Sequence, residues 1–178
     1  MSDKLSISGN DDEWKLFGKA PTGGNEILFR SRTGVPAVRA YALENQMARL
    51  RCVIRADQIA GTGMPVSTRD LDEYEDRLLG ALTEAKAEVY LIAVVTGDGN
   101  RDLFFAARDL DDLRAGIKAA KTSVDTFKLQ IAPVGDKEAF LKSLTLSSDQ
   151  ERTAFEQGRV YQVPLPSRGG FLGKLFGR

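Results

Sequence analysis

A chain of 178 residues, 42% apolar and 28% charged, has the size and composition of one soluble globular domain with tails. It has no histidine and one cysteine, Cys52, which excludes Ser-His-Asp and Cys-His catalysis, imidazole-bound zinc and any intrachain disulfide. Basic and acidic residues balance at 25 each, so net charge favours no partner and argues against nucleic acid.

Residues 1–24 mix Gly, Asp, Asn and Lys and read as an irregular arm whose Trp14, Leu16 and Phe17 anchor it to a core. A polar N-terminus without an apolar run predicts no secretory signal, and no stretch reaches the ~18 apolar residues of a membrane span, so the expected compartment is the cytoplasm. A first strand is predicted over Glu26–Arg32. A second spans Met47–Ala56, where Leu50, Cys52 and Ile54 alternate with Arg49, Arg51, Val53 and Arg55, the period of a half-buried strand.

After the turn-rich Gly61-Thr62-Gly63-Met64-Pro65, Ser67 and Asp70 stand at capping-box spacing. Leu71, Tyr74, Leu78, Leu82 and Ala85 then form one helical stripe. Residues 57–89 hold 8 acidic and 3 basic side chains, a net of −5, and the acids of this helix read as a solvated face. Val89–Val95 is a continuously apolar strand, Gly97-Asp98-Gly99-Asn100 a hairpin turn, and Asp102–Ala107 the returning strand. Asp109 caps a helix carrying Leu110, Leu113, Ile117 and Ala120, and Phe127–Ala132 is a last alternating strand. Short helices are predicted over 136–142 and 149–157.

The order is an extra strand followed by β-α-β-β-α-β. The predicted fold is therefore α+β and ferredoxin-like, an antiparallel sheet with its helices on one face, in a single domain over residues 25–160. Residues 161–178 form a tail set apart by Pro164, Pro166 and Gly169-Gly170.

The run Gly63-Met64-Pro65, the acidic helix Asp70–Leu78, and the strand pair with Thr96-Gly97 at the turn and Arg101-Asp102-Leu103-Phe104-Phe105 after it resemble the bacterial domain-of-unknown-function family six-nine-five, over residues 25 to 142. That family has no assigned activity and often stands beside domains similar to the protein inhibitor of ribonuclease E. The resemblance implies a bacterial regulatory binding module and supplies no catalytic residue.

Two candidate binding features follow. Arg49, Arg51 and Arg55 would face the open side of the sheet, joined by Lys128 and Gln130 of the last strand and extended by Arg30 and Arg32. Guanidinium groups there suit carboxylate or phosphate partners. In the tail, Phe171, Leu172, Leu175 and Phe176 share one side of a short helix among Arg168, Lys174 and Arg178, and would dock into a partner's groove or on an anionic membrane surface. Of Phe104 and Phe105, one faces each way, and the outward ring is a candidate stacking platform. No glycine run fits a phosphate-binding fingerprint and no cofactor is implied. The expected function is a non-catalytic, regulatory interaction domain that binds another protein, with self-pairing into a homodimer through a sheet edge as a further mode. The alternative is a hydrolase or transferase using carboxylates as acid and base.

Overall fold

A computed structural model describes residues 5–19, 25–120, 126–144 and 160–162. The elements in chain order are β1 (Lys15–Lys19), β2 (Ile27–Ser31), α1 (Pro36–Glu44), β3 (Gln46–Ile54), α2 (Arg69–Glu84), β4 (Val89–Gly97), β5 (Asn100–Ala107), α3 (Leu110–Ala119), β6 (Phe127–Pro133), α4 (Lys137–Leu144) and β7 (Val160–Gln162). The strands form one antiparallel sheet in the order β6-β3-β5-β4-β2-β1-β7. The architecture is α+β, and among the described residues no helix is long and apolar enough to cross a membrane.

The alternation read on β3 holds: Leu50, Cys52 and Ile54 are buried under α2 and α3, in one cluster with Leu71, Tyr74, Leu78, Leu82, Leu103, Phe105 and Leu113. α2 is an apolar stripe on an otherwise charged helix, and it forms because that stripe has a sheet face to cover. Ala85, expected at the end of the stripe, is instead the exposed C-cap. α3 starts where Asp109 accepts the Asp111 N–H at 2.8 Å. The β4–β5 hairpin turns on Asp98 (φ +48°) and Gly99 (φ +71°), the left-handed pair that a two-residue turn needs.

Three elements depart from the expectation. The arm 1–24 is not wholly irregular, since β1 pairs with β2 over five residues. Trp14 and Leu16 do anchor it, at 7% and 1% exposure. α1 was unanticipated: it has no side-chain cap, and Pro36 in its first turn is its only start signal. Helices also lie on both faces, not one. α1 and α4 cover the opposite side, burying Val38, Ala42 and Leu141 with Met47, Ile92 and Ala106. An irregularity in β4 between Leu91 and Ala93 permits this, because both Ile92 and Ala93 then turn to the α1/α4 side while Leu91 and Val94 stay on the other. Lys137 ties the two helices together by donating to the carbonyl oxygens of Leu43 and Asn45, at 2.5 and 2.6 Å, at the negative end of α1. α4 matches the short helix expected over 136–142. The helix expected over 149–157 lies outside the described residues.

Where α3 crosses α2 there is no room for a side chain. A Cβ on Gly116 would stand 2.5 Å from Leu82 Cδ2 and 2.9 Å from its Cγ, and Leu82 is fully buried. Gly116→Ala should therefore destabilise the fold by about 1–3 kcal/mol through overpacking, although alanine is the better helix former. Urea denaturation checks this: an unchanged or raised midpoint would show that the two helices can separate at no cost.

Candidate functional site

The densest cluster of charge is buried, on the α2/α3 face. Arg101 of β5 is fully buried, and its Nη1 donates to Asp72 Oδ1 of α2 at 2.7 Å and lies 3.6 Å from Glu75 Oε2. Its Nε donates to Thr96 Oγ1 on the neighbouring strand. Arg30 of β2 pairs through Nη2 with Glu75, which is itself buried. Thr68, at the N-cap of α2, donates its hydroxyl to Asp72 instead of capping the helix, and Ser67 accepts the Arg69 N–H at 3.3 Å. The capping box expected from Ser67 and Asp70 is therefore replaced by contacts that deliver Asp72 to the arginine.

The arm closes this cluster. The Trp14 ring lies 4.9 Å from the Arg30 guanidinium carbon and 5.9 Å from that of Arg32, within cation–π range. Trp14 Nε1 donates to the Ser8 carbonyl at 2.9 Å. Arg32 is fully buried, donating to the Ser6 carbonyl at 2.8 Å with Glu13 Oε2 at 3.4 Å. Burial lowers the pKa of all three guanidinium groups, that of Arg30 to about 9 with the Arg101 charge pushing the same way. Two expectations fail here. Arg30 and Arg32 do not extend an open basic surface, and Asp72 and Glu75 are not a solvated face. These ions hold α2 to the sheet and offer nothing to a ligand.

The arginine row on β3 divides on the α1/α4 side. Arg51 is held by Asp102 of β5 through two parallel bonds, Nε to Oδ1 and Nη2 to Oδ2, both 2.7 Å, and that pairing raises its pKa. Arg55 lies past the end of β3 and bonds Asp57. Arg49 is half-buried and Lys128 exposed, and neither has an ion pair among the described residues. The register sets Arg51 opposite Gln130 and Lys128 opposite Val53, so Lys128 is diagonal to Arg51, with Arg49 two residues further along β3. α4 lies on this same side of the sheet, next to Arg49, which stands opposite Phe104 of β5 in the register. It packs on Phe104, whose ring meets Phe140 at 4.3 Å between centroids, so the outward phenylalanine is covered and is no stacking platform. Phe105 is the core one, as alternation requires.

Near the other end of β3, an open cleft of about 430 Å³ includes Glu44, Met47, Arg108 and Lys137. Its lysine is the one committed to the end of α1. Phe171, Leu172, Leu175 and Phe176 of the tail lie outside the described residues. The chain matches no family model, no curated protein and no solved structure.

Cys52 is buried with its thiol pushed up from 9.0 to about 12, chiefly by desolvation, so it is no nucleophile. In the unfolded chain the thiol ionises above pH 9, whereas in the native core it stays protonated. The native state then binds more protons, so this contribution to stability is complete below pH 9 and is lost as pH rises toward 12. Wild-type stability should fall relative to Cys52→Ala by on the order of 1 kcal/mol per pH unit above 9. Denaturation of both proteins from pH 8 to 11 checks this, and parallel curves would refute a buried neutral thiol.

Proposed function

We propose that the chain is a non-catalytic, regulatory interaction domain whose open sheet face receives an acidic segment of another protein. The observation that carries this is the contrast between the two faces. On the α2/α3 side every described buried arginine has a carboxylate partner within the domain. On the other side Arg49 and Lys128 stand beside the rigid Arg51–Asp102 pair without one. Asp102 orients Arg51 and neutralises it, so the surplus positive charge belongs to Arg49 and Lys128. Two cations across a few strand residues fit a short run of carboxylates and fall well short of the extended basic footprint of a nucleic-acid site.

A ferredoxin-like reading of the central unit belongs to the same proposal. It is supported by the order β6-β3-β5-β4, in which the first and last strands of a β-α-β-β-α-β unit lie side by side and α2 and α3 share one face.

A fluorescein-labelled glutamate-rich peptide tests the reading by anisotropy. It should bind at low ionic strength, weaken as salt is added, and lose at least tenfold in affinity to Arg49→Glu/Lys128→Glu, while Arg55→Glu leaves it unchanged. Binding indifferent to the double charge reversal, or absent at low salt, would overturn it.

A further inference from the structure

We propose that β6 is the contact strand of a symmetric homodimer, paired antiparallel with β6 of a second copy about a two-fold axis through Gln130. β6 ends the sheet, and four of its seven residues in a row, Lys128 to Ile131, are exposed. Two of these are large and apolar, Leu129 at 37% and Ile131 at 43% exposure. They lie on the α2/α3 side, opposite Cys52 and Leu50 in the register, one strand out from β3, on which α3 packs. At the opposite end of the sheet, β7 has only three residues.

Backbone direction adds to the exposure. The Arg55 N–H donates to the Thr126 carbonyl and the Val134 N–H to the Met47 carbonyl, both at 2.9 Å. With the β3–β6 register this turns the backbone groups of Lys128, Gln130 and Ala132 toward β3, and those of Phe127, Leu129, Ile131 and Pro133 toward the open edge. Gln130 is the midpoint of Phe127–Pro133, so a two-fold axis there overlaps two copies of β6 along their full length.

In that register Leu129 faces Ile131 of the second copy as a mutually hydrogen-bonded pair, and Ile131 faces its Leu129. Phe127 donates to the carbonyl of Pro133 in the second copy, so proline's missing N–H falls at the end of the ladder. The four exposed apolar side chains meet across the axis on one face, and the two Gln130 amides meet on the other. Charge selects the same register: Lys128 falls opposite Ala132, whereas an axis through Lys128 would set two lysines face to face and shorten the overlap. Lys128 and Pro133 are the residues with which natural edges limit promiscuous pairing, and here they leave one full-length register. The dimer does not depend on the acidic-partner reading.

A single strand edge with four apolar side chains is smaller than a standard stable interface, so the dimer should dissociate in the micromolar range. Sedimentation velocity of the full chain should show monomer passing to dimer across that range. Leu129→Lys/Ile131→Lys should remain monomeric at every concentration with an unchanged circular-dichroism melt, since both sites are exposed in the monomer. Gln130 pairs lie in a non-hydrogen-bonded position, where Cα atoms stand about 4.5 Å apart, within disulfide range. Mild oxidation should therefore cross-link Gln130→Cys into a covalent dimer and leave Lys128→Cys uncoupled, with Cys52 buried and silent in both. A wild-type protein that is monomeric throughout with Gln130→Cys still reduced would overturn the proposal. So would a dimer that survives the double lysine variant, or one that cross-links through Lys128→Cys and not through Gln130→Cys.

Discussion

The contact between Arg101 and Asp72 sets the rest of this fold. A guanidinium with no exposed surface is tolerable only when its charge is met by carboxylates. Asp72 and Glu75 supply the carboxylates from one side of α2, three residues apart, and Thr96 supplies an acceptor from the sheet. The helix cannot rotate or slide by a turn without stranding these ions in the core. Apolar packing of Leu71, Tyr74, Leu78 and Leu82 holds α2 down, and the ions determine where along the sheet it sits. Such a cluster adds little net stability compared with an apolar core of the same volume, but removing one member leaves the others uncompensated.

The same constraint explains the arm and the division of labour between faces. Arg30 brings a second guanidinium to Glu75 from β2, and Arg32 follows just beyond that strand. Trp14 lies over both, which gives β1 and the residues before it a reason to fold against the sheet. With three arginines committed inside, Arg49 and Lys128 are the strand cations on the opposite face that have no ion pair among the described residues. What this domain can offer a partner is therefore narrower than its arginine content suggests: a short basic strip beside the Arg51–Asp102 pair, and an edge strand with two exposed apolar side chains.

Much of this was legible in the residues. The strands of the central unit, the capped helix after Asp109, the inward set Leu50, Cys52 and Ile54, and the opposed directions of Phe104 and Phe105 all followed from period and turn chemistry. Glu75 could have been read as buried as well, because it falls four residues after Leu71 and three before Leu78, on the apolar stripe. Arg30 and Arg32 were misplaced because sequence alone did not say that β2 lies between β4 and β1, which turns Arg30 toward α2. α1 left only Pro36 as a signal, and its apolar side has meaning only once α4 lies beside it. The β4 irregularity, which gives α1 and α4 their own apolar surface, has no signature in an unbroken run such as Val89–Val95.

A double-mutant cycle on Arg101 and Asp72 tests the account most directly. Arg101→Met and Asp72→Leu should each cost about 3 kcal/mol in urea denaturation, because each removes the shorter ion pair of Arg101 and leaves its other member undercompensated. The double variant should recover much of that loss, with a coupling of about 2 kcal/mol or more between the two sites. Single losses below about 1 kcal/mol, or losses that simply add, would contradict the claim that this ion pair positions α2 on the sheet.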